Sequence, residues 1–446
     1  MQHNDTIAAI ATPPAAGGIG VIRVSGPQAG VIAAHCLGKA PTPRHAHYAQ
    51  LRDVQGELID SGLLLWFPGP ASFTGEDVLE LQMHGSRPLL HALLRELYRL
   101  GARPARPGEF SERAFLNGKI DLAQAEAIAD LIGAGSEAAA RAAQRSLQGE
   151  FSRIVGQLVE DTIGLRVSVE SAIDFSDEDI EMLSPAALLE RLDALRAQLE
   201  QVLDAARRGQ RLRDGLHVVI LGPPNAGKSS LLNALAADDR AIVTAQAGTT
   251  RDLLRETIEI DGIELTLVDT AGLREAEDLI EREGIRRAHE ESARADLILY
   301  VAPAVPEPGA TPDPPPRHKG VELIRVHSKI DLTGEPARRE QLADGEHLWL
   351  SASSGAGLDL LRQSLREHAG LEHGDGGFSA RARHVEALLR TSTHMDDARQ
   401  RLQHGAELEL AAEDLRQAQL ALGEITGEFS TEDLLGRIFA NFCIGK

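Results

Sequence analysis

A run of eight residues, Gly222-Pro-Pro-Asn-Ala-Gly227-Lys228-Ser229, restricts the fold of this chain more than any other segment. A strand-like apolar stretch, residues 217–221, comes directly before it, and a helical stretch, residues 229–237, follows. Glycines let backbone N–H groups turn toward phosphate oxygens, and a helix that begins there adds the positive end of its dipole. The run therefore predicts a phosphate-binding loop between a buried strand and a helix, inside an α/β domain.

The residues in and after this loop predict a nucleotide site of the switch type. Lys228 is expected to contact the β- and γ-phosphate oxygens, and Ser229 and Thr250 to bind Mg²⁺. Asp269 follows a second strand and suits the outer shell of the metal ion, while the Gly272 amide suits the γ-phosphate. The candidate nucleotide-binding residues are Asn225, Ala226, Gly227, Lys228, Ser229, Ser230, Thr244, Thr249, Thr250, Asp269, Thr270, Ala271, Gly272, Lys329, Asp331, Ser351 and Ala352.

Two shorter signals predict the base. Guanine-specific loops usually read Asn-Lys-x-Asp after a strand, and this chain reads Ser328-Lys-Ile-Asp331. Asp331 can accept hydrogen bonds from N1 and the exocyclic amine of guanine, which adenine cannot satisfy. Ser351-Ala352 follows the last strand, where a backbone N–H would meet guanine O6. We therefore predict GTP rather than ATP, with weaker affinity than the intact motif gives because Ser328 replaces the asparagine.

The chain lacks the residue that usually orients the attacking water in GTPases. Many GTPases place glutamine directly after the Asp-x-x-Gly motif, whereas this chain has Leu273 there. Glu281 is the candidate replacement, and the alternative is a solvated helix charge like its acidic neighbours. Asn225 carries a side-chain oxygen that suits a monovalent ion beside the phosphates, with residues 244–249 closing over it. Glu281 and Lys228 are thus the candidate catalytic residues.

The rest of the chain divides into segments of different texture. Residues 1–117 mix short β-type runs, at 21–25 and 78–82, with a helix at 89–100, and predict an α+β domain. Residues 118–213 and 373–446 are rich in Ala, Leu, Glu and Arg and predict one helical domain in two parts. The apolar residues at helical spacing are Leu122, Ala125, Ile128, Leu131 and Ile132 in the first part and Leu388, Leu389, Leu402, Leu408 and Leu410 in the second.

The segment between the helical parts, residues 214–372, alternates strands and helices. It contains strand-like runs at 297–301, 323–327 and 348–350 and a hairpin around Asp261 and Gly262, and predicts a largely parallel sheet. Seven prolines between Pro303 and Pro316 predict an irregular loop. The predicted fold class is therefore multidomain, α/β plus α, with a Ras-like P-loop GTPase domain inserted into a discontinuous helical domain.

Composition limits the setting. The net charge of −21 argues against broad nonspecific nucleic-acid binding, so an RNA partner would need a local basic patch or a second protein. Two distant cysteines, Cys36 and Cys443, form neither a disulfide framework nor a zinc cluster. No apolar run is long enough to span a bilayer, and the N-terminus lacks the pattern of a secretory signal. We expect a cytoplasmic protein without a membrane segment.

Several motifs together resemble the family of tRNA modification GTPases of the MnmE (TrmE) type, over nearly the whole chain. The terminal Phe442-Cys-Ile-Gly-Lys446 is the most specific, because such an ending has no generic explanation. The other markers are Gly18-Ile-Gly20-Val-Ile-Arg23, Glu76-Asp-Val-Leu-Glu80, Asn117-Gly-Lys119-Ile-Asp-Leu122, Pro224-Asn-Ala-Gly-Lys-Ser229 and Ala247-Gly-Thr-Thr-Arg-Asp252.

The resemblance implies a folate-binding N-terminal domain that forms a homodimer, a discontinuous helical domain and an inserted GTPase domain. In the family, the GTPase domains pair in the presence of K⁺, which takes the place of an arginine finger. Carried over to this chain, Glu281 would organise the catalytic water. The K⁺ ligands would be Asn225, Thr244, Gln246 and Thr249.

The resemblance also implies the modification chemistry. A reduced folate, of the 5-formyl- or 5,10-methylene-tetrahydrofolate type, would be held by Arg23, Glu80, Lys119 and Lys446. With an FAD-dependent partner protein, in a heterotetramer, the family adds an aminomethyl or carboxymethylaminomethyl group to C5 of the wobble uridine of certain tRNAs. Cys443 matches the C-terminal cysteine of the family, for which a covalent role and a small buried thiol near the folate both remain open.

Three functions compete at this point. The first is an enzyme whose GTP cycle drives a tRNA-modifying complex. The second is a GTPase switch in ribosome assembly without covalent chemistry, which would usually carry a basic RNA-binding domain that this acidic chain lacks. The third is a scaffold with a decayed nucleotide site, against which the intact Lys228, Ser229, Thr250 and Asp269 argue.

Overall fold

The structure is a computed structural model that forms two compact units. The first unit comprises Met1–Ala129, Leu147–Leu195 and Arg390–Lys446, and the second comprises Asp130–Ser146 and Arg196–Leu389. The residues that the structure describes are 5–13, 15–174, 183–223, 225–236, 254–260, 263–269, 292, 295–305, 321–369, 377–404, 407–428, 432–440, 442 and 445.

The first unit begins with a six-stranded sheet in the order β3-β4-β5-β2-β1-β6. Neighbouring strands are antiparallel except β1 and β6, which are parallel. Helices α1 (Ala29–Leu37) and α2 (Arg87–Arg99) bury one face of this sheet through an aliphatic core that includes Ile22, Leu81 and Leu93. The strands are β1 (Thr6–Ile10), β2 (Gly17–Ser25), β3 (His47–Arg52), β4 (Leu58–Phe67), β5 (Val78–Gly85) and β6 (Ala102–Pro104).

Helices from both sides of the inserted segment share a core in the first unit. There α6 (Glu150–Asp174) packs along α11 (Leu408–Thr426), and Arg166 Nη1 donates to Gln419 Oε1 at 2.8 Å. The helices outside the inserted segment are α3 (Glu109–Leu116), α4 (Leu122–Ile132), α5 (Glu137–Leu147), α6 (Glu150–Asp174), α7 (Pro185–Asp214), α10 (Ala382–His404), α11 (Leu408–Thr426) and α12 (Glu432–Ala440). The predicted fold class, a discontinuous helical part around an inserted α/β part, is confirmed.

The predicted apolar stripes of the helices are only partly correct. Leu122 and Leu402 are buried. Ile132, Leu389 and Leu410, expected in the same stripes, are 45%, 40% and 47% exposed. Ile132 is the last residue of α4, and Leu410 lies in the first turn of α11, where a helix end leaves part of its surface uncovered.

The second unit contains a seven-stranded sheet in the order β12-β13-β11-β10-β7-β9-β8. The five strands from β13 to β9 are parallel, and the edge strands β12 and β8 are antiparallel to their neighbours. Helices α8 (Lys228–Ala236) and α9 (Leu358–His368) cover one face. The strands are β7 (Leu216–Leu221), β8 (Leu254–Ile260), β9 (Ile263–Asp269), β10 (Leu297–Pro303), β11 (Glu322–Ser328), β12 (Arg338–Leu342) and β13 (Gly345–Trp349).

This sheet agrees with the predicted alternation of strands and helices, with one addition. Strand β12 reads Arg-Arg-Glu-Gln-Leu and carries no apolar alternation, so the sequence did not predict it. It forms because β13 supplies a partner through a tight hairpin, and because Arg338 stacks on Trp349 while Arg339 pairs with Glu346. The predicted hairpin pairs β8 with β9, and its turn at Asp261 and Gly262 lies outside the described residues. Of the stretch from Pro303 to Pro316, predicted as an irregular loop, Pro303 is instead the last residue of β10, and residues 306–316 lie outside the described residues.

In the second unit, one buried carboxylate forms hydrogen bonds with an arginine on each side of the inserted segment. Asp130, on α4, accepts from Arg213 Nε at 2.7 Å and from Arg381 Nη2 at 2.6 Å. Arg213 lies just before β7, and Arg381 lies just before α10. The segment therefore begins and ends at the same anchored point.

Candidate functional site

The predicted phosphate and base loops follow three parallel strands of the second unit: β13 and β11 are neighbours, and β10 lies between β11 and β7. The phosphate loop follows β7, Ser328 ends β11, and Ser351 comes directly after β13. In open parallel sheets, ligands bind outside the carboxyl ends of the strands. The topology thus brings these loops together at the carboxyl ends of the strands, as a nucleotide site requires.

The phosphate loop has the backbone that its glycines predict. Gly222 has φ of 147°, and a Cβ there would lie 2.0 Å from the carbonyl oxygen of Val301 on β10. Gly227 has φ of 93°, and Asn225 takes the left-handed conformation with φ of 58°. Only glycine fits the first of these positions, and asparagine tolerates the left-handed region better than most residues.

Lys228 lies folded over this loop. Its side chain is 6% exposed, and Nζ donates to the carbonyl oxygens of Gly222 at 2.9 Å and Pro223 at 2.8 Å. The ammonium group is therefore held above the loop, where phosphate oxygens would replace the carbonyls as partners. Ser229 and Ser230 are exposed in the first turn of α8. A serine hydroxyl at this place fits the hard oxygen ligand that Mg²⁺ prefers.

The base loop presents an ionised carboxylate. Ser351 is fully buried, and its Oγ donates to Asp331 Oδ1 at 2.6 Å. This hydrogen bond is the main reason that the pKa of the exposed Asp331 carboxyl lies below its usual range. Asp331 therefore keeps a negative charge and free lone pairs that can accept two N–H groups from a base edge. Lys329, with φ of 61°, turns the chain between Ser328 and Asp331.

Many predicted site residues lie outside the described part of the chain, so their roles stay predictions. Asp269 ends β9, but only its backbone is described. The other predicted residues outside the described part are Thr244, Gln246, Thr249, Thr250, Thr270, Ala271, Gly272, Glu281, Cys443 and Lys446.

The first unit brings two of the predicted folate residues together. Arg23 on β2 and Glu80 on β5 are cross-strand partners, and Arg23 Nε and Nη2 donate to Glu80 Oε1 at 3.0 and 2.8 Å. The Arg23 guanidinium carbon lies 5.4 Å from the centre of the Phe73 ring. Lys119 Nζ donates to the carbonyl oxygen of Pro70, in the same loop as Phe73. An ion pair and an aromatic ring thus meet on this sheet.

The C-terminal tail approaches this pair. Gly445 is buried with φ of 96°, and a Cβ there would lie 2.4 Å from the carbonyl oxygen of Ile10 on β1. In the β1–β2 register, Ile10 is the neighbour of Ala9, the cross-strand partner of Arg23. The residue before Lys446 therefore lies beside β1, the strand next to the one that carries Arg23.

A buried ion network beneath the loop of Phe73 was missed in the sequence. Arg113 is fully buried, and its Nη1 donates to Glu76 Oε2 at 3.1 Å while its Nη2 donates to Asp5 Oδ1 at 2.8 Å and Glu109 Oε1 at 3.2 Å. Arg103 binds the other oxygen of Asp5, Oδ2, and both carboxylate oxygens of Glu109. The only local signal was the i, i+4 spacing of Glu109 and Arg113, which is common on solvated helices.

The network lowers the pKa values of two of its carboxyl groups, those of Glu109 and Asp5. Burial alone would raise the pKa of the Glu109 carboxyl, but hydrogen bonds from Arg103 and from the Arg106 backbone, with the charges of Arg103 and Arg113, lower it to about 2. The same balance, with burial opposed by Arg103 and Arg113, lowers the pKa of Asp5. Both carboxylates therefore remain charged in the folded unit at neutral pH.

The network also fixes the loop that carries Phe73. Glu76 Oε2 accepts from Ser25 Oγ at 2.7 Å, and Ser25 Oγ lies 2.7 Å from Thr74 Oγ1. Asn117 Nδ2 donates to the carbonyl oxygen of Thr74 at 2.7 Å. The loop is thus held after Phe73 by these contacts, and before it by the hydrogen bond from Lys119 to Pro70.

None of the helices in the described ranges is long and apolar enough to cross a membrane.

Comparison with known proteins gives matches over nearly the whole chain. The family model described as GTP-binding protein TrmE N-terminus matches residues 6–119, and the model of the MnmE helical domain matches residues 122–443. The protein named tRNA modification GTPase MnmE from Methylococcus capsulatus is 54% identical over 443 residues, covering 99% of both chains. The protein of the same name from Stutzerimonas stutzeri is 56% identical over 456 residues and covers both chains completely.

Among solved structures, the G domain of the FeoB iron transporter of T. maritima is 22% identical. The match covers 34% of this chain and 98% of that one, with a TM-score of 0.24. That score is too low to support a conclusion about this chain.

Proposed function

Because this chain belongs to the MnmE family of tRNA modification GTPases, we propose that it couples GTP hydrolysis to modification of C5 of the wobble uridine of certain tRNAs. The coarser activity, a GTP hydrolase acting in tRNA modification, is that of the family. The observation that supports the nucleotide half of the proposal is the arrangement of Lys228 in its phosphate loop and the Asp331–Ser351 pair along one edge of a parallel sheet.

The described residues explain how the chain would hold GTP. Lys228 would exchange its two carbonyl partners for phosphate oxygens, and Asp331 would accept from N1 and the exocyclic amine of guanine. Ser229 would bind Mg²⁺, together with Thr250, and the bound ion would neutralise charge on the phosphates. Ala352 would supply a backbone N–H to O6.

For the hydrolytic step, we propose that Glu281 orients the attacking water and that K⁺ takes the place of an arginine finger. Asn225, exposed in the phosphate loop, is the described member of the proposed K⁺ ligands Asn225, Thr244, Gln246 and Thr249. Its left-handed backbone, with φ of 58°, and its exposure in the loop support this assignment.

The first unit would supply the one-carbon chemistry. Reduced folate would bind at Arg23 and Glu80, with Lys119 and Lys446 nearby, and the position of Gly445 beside β1 supports the inclusion of Lys446. The complete reaction would need a homodimer, an FAD-dependent partner protein and tRNA, in the cytoplasm. The chain's net charge of −21 agrees with a tRNA that is held in part by the partner.

Hydrolysis of GTP by the full chain in K⁺ and in Na⁺ tests the nucleotide half. We expect faster turnover in K⁺, strongly reduced by Glu281→Ala and little affected by Glu283→Ala, a neighbouring carboxylate that serves as the matched control. Equal rates in both salts, unchanged by Glu281→Ala, would remove K⁺ and Glu281 from the mechanism while leaving a P-loop GTPase.

Binding of 5-formyltetrahydrofolate to the full chain tests the folate half. Arg23→Met should abolish binding, whereas Arg52→Met, which changes an exposed arginine of the same sheet, should not. Tight binding to the Arg23 variant would place the folate elsewhere.

A further inference from the structure

Ser328, which stands in place of the usual asparagine of the guanine motif, bonds main-chain carbonyls of the protein. It ends β11 and is 4% exposed. Its Oγ donates to the carbonyl oxygen of Ala226 in the phosphate loop at 2.6 Å, and the carbonyl oxygen of Ala302 on β10 lies 3.2 Å from the same atom. A serine hydroxyl has a single proton, and both neighbours are acceptors. The proton of Ser328 is therefore used inside the protein.

This contact joins the base loop to the phosphate loop. A Cβ at Gly227 would lie 3.9 Å from Ser328 Oγ and 4.0 Å from Lys329 Cε, so the two loops are in van der Waals reach at this point. The hydrogen bond to Ala226 is short for a hydroxyl and a carbonyl, and it is buried. Ser328 thus holds the two loops in register, which an asparagine could do with one of its two amide protons.

An asparagine side chain has two N–H donors, whereas a serine side chain has one O–H donor. Guanine presents N7 as an acceptor on the edge away from N1 and the exocyclic amine. An asparagine has a second N–H that can face this acceptor, whereas Ser328 has no donor left for it. Asp331 has only acceptors and serves the N1 edge.

We infer that this chain does not read guanine N7 through position 328: Ser328 latches the base loop to the phosphate loop, and Asp331 alone selects the base by its side chain. The inference rests on the proposed binding of guanine nucleotides. The ligand class that the site would accept is therefore wider than for the usual motif, and it includes guanine nucleotides altered at position 7. Adenine nucleotides remain excluded, because they offer Asp331 no matching donors.

The dissociation constants of GDP and 7-deaza-GDP for the full chain, measured by calorimetry with Mg²⁺, test the inference directly. The 7-deaza base carries C–H in place of N7 and is otherwise unchanged. We expect the wild-type chain to bind both nucleotides with equal affinity, within about twofold. A wild-type preference for GDP of fivefold or more, the effect of about one neutral hydrogen bond, would overturn the inference.

Two variants of Ser328 distinguish its link to the phosphate loop from recognition of guanine N7. Ser328→Asn should keep the latch and gain a preference of about fivefold for GDP over 7-deaza-GDP, since one neutral hydrogen bond is added. Ser328→Ala should weaken both nucleotides equally, because only the link between the loops is lost. A Ser328→Ala variant with unchanged affinity would refute the latch, and a Ser328→Asn variant without the new preference would refute the explanation from the missing proton.

The same titrations distinguish this inference from the proposed function. If no guanine nucleotide binds the wild-type chain, the proposed GTPase activity fails, and the inference fails with it. If GDP binds and is preferred over 7-deaza-GDP, only the inference fails.

Discussion

The two candidate sites of this chain are built from different materials. The nucleotide site of the second unit is made mainly of backbone: Gly222, Asn225 and Gly227 have positive φ, and Lys228 rests on main-chain carbonyls. The candidate folate site of the first unit is made of charged side chains, with Arg23 on Glu80 and a buried network around Arg113 below. A backbone site needs particular residues at fixed spacing, whereas a charge network needs only partners that the fold brings together.

This difference has an energetic consequence. Backbone conformation is set locally, so a change in the phosphate loop should alter nucleotide binding more than the folding of the first unit. A buried cation is different, because removal of one partner leaves uncompensated charge in the interior. We therefore expect Arg113 to matter for stability and Lys228 for activity.

The largest expected effect is the loss of stability in Arg113→Met. The change leaves Asp5, Glu76 and Glu109 short of a buried cation, and it should destabilise the first unit by about 3–5 kcal/mol. The chain has two tryptophans, Trp66 in the first unit and Trp349 in the second. Urea unfolding in a Trp349→Phe background therefore reports on the first unit.

The control for this prediction is Arg416→Met, which removes an exposed arginine that pairs with Glu413 within one helix turn. It should leave the unfolding transition unchanged. If both variants shift the transition alike, the contrast between the buried network and surface pairs is wrong.

The next effect is on catalysis. Lys228→Met should reduce GTP turnover by about two orders of magnitude or more, because it removes a preorganised positive charge at the phosphates. Turnover of GTP at saturating concentration measures the effect, while the Trp66 unfolding signal should not move. A variant with near wild-type turnover would mean that the phosphates do not bind at this loop.

Acid should destabilise the first unit through the carboxylates of its network. The pKa of Glu109 is lowered to about 2 in the folded unit, and that of Asp5 is lowered as well. A carboxyl group whose pKa is lowered by folding stabilises the folded state at pH values above its unfolded-state pKa, which is about 4.3 for glutamate. This stabilisation is lost as the pH falls toward the folded-state pKa of about 2. The effect is smaller than that of Arg113→Met, because protonation removes the charge that the variant leaves buried.

Unfolding of the first unit measured from pH 6 to pH 2.5, in wild type and in Glu109→Gln, tests this prediction. The urea concentration at the midpoint of wild-type unfolding should decrease as the pH is lowered from 4.5 to 2.5. In Glu109→Gln this decrease should be smaller. Parallel curves would assign the acid sensitivity to other groups.

The smallest expected effect concerns Ser351. Ser351→Ala removes the hydrogen bond that orients Asp331 and should weaken GDP binding by about fivefold, because one hydrogen bond is lost. Calorimetric titration with GDP measures it. Leu350→Met, a similar-sized change at the neighbouring buried position, should have less effect, and equal losses would show that packing rather than the hydroxyl orients the carboxylate.

Much of the second unit could be predicted from the sequence because its signals are local. The phosphate loop has glycine at Gly222 and Gly227, where φ is positive, and the buried strands β7 and β10 are mostly apolar. The edge strand β12 could not be predicted, because its pairing with β13 and the contacts of Arg338 and Arg339 exist only in the tertiary structure. Likewise, the prediction of a burial stripe was wrong at Ile132 and Leu410, where the ends of helices lie at the surface.

The sequence by itself determined the places where backbone conformation demands a residue type: Gly222, Gly227 and the order of the loops that follow the strands. Only the tertiary structure decided which side chains are partners. Asp5 meets Arg113 across 108 positions, and Ser328 meets Ala226 across 102. Such contacts depend on strand order and register rather than on spacing, since a hydrogen bond needs two groups within about 3 Å and no local pattern specifies which distant residue will supply the second.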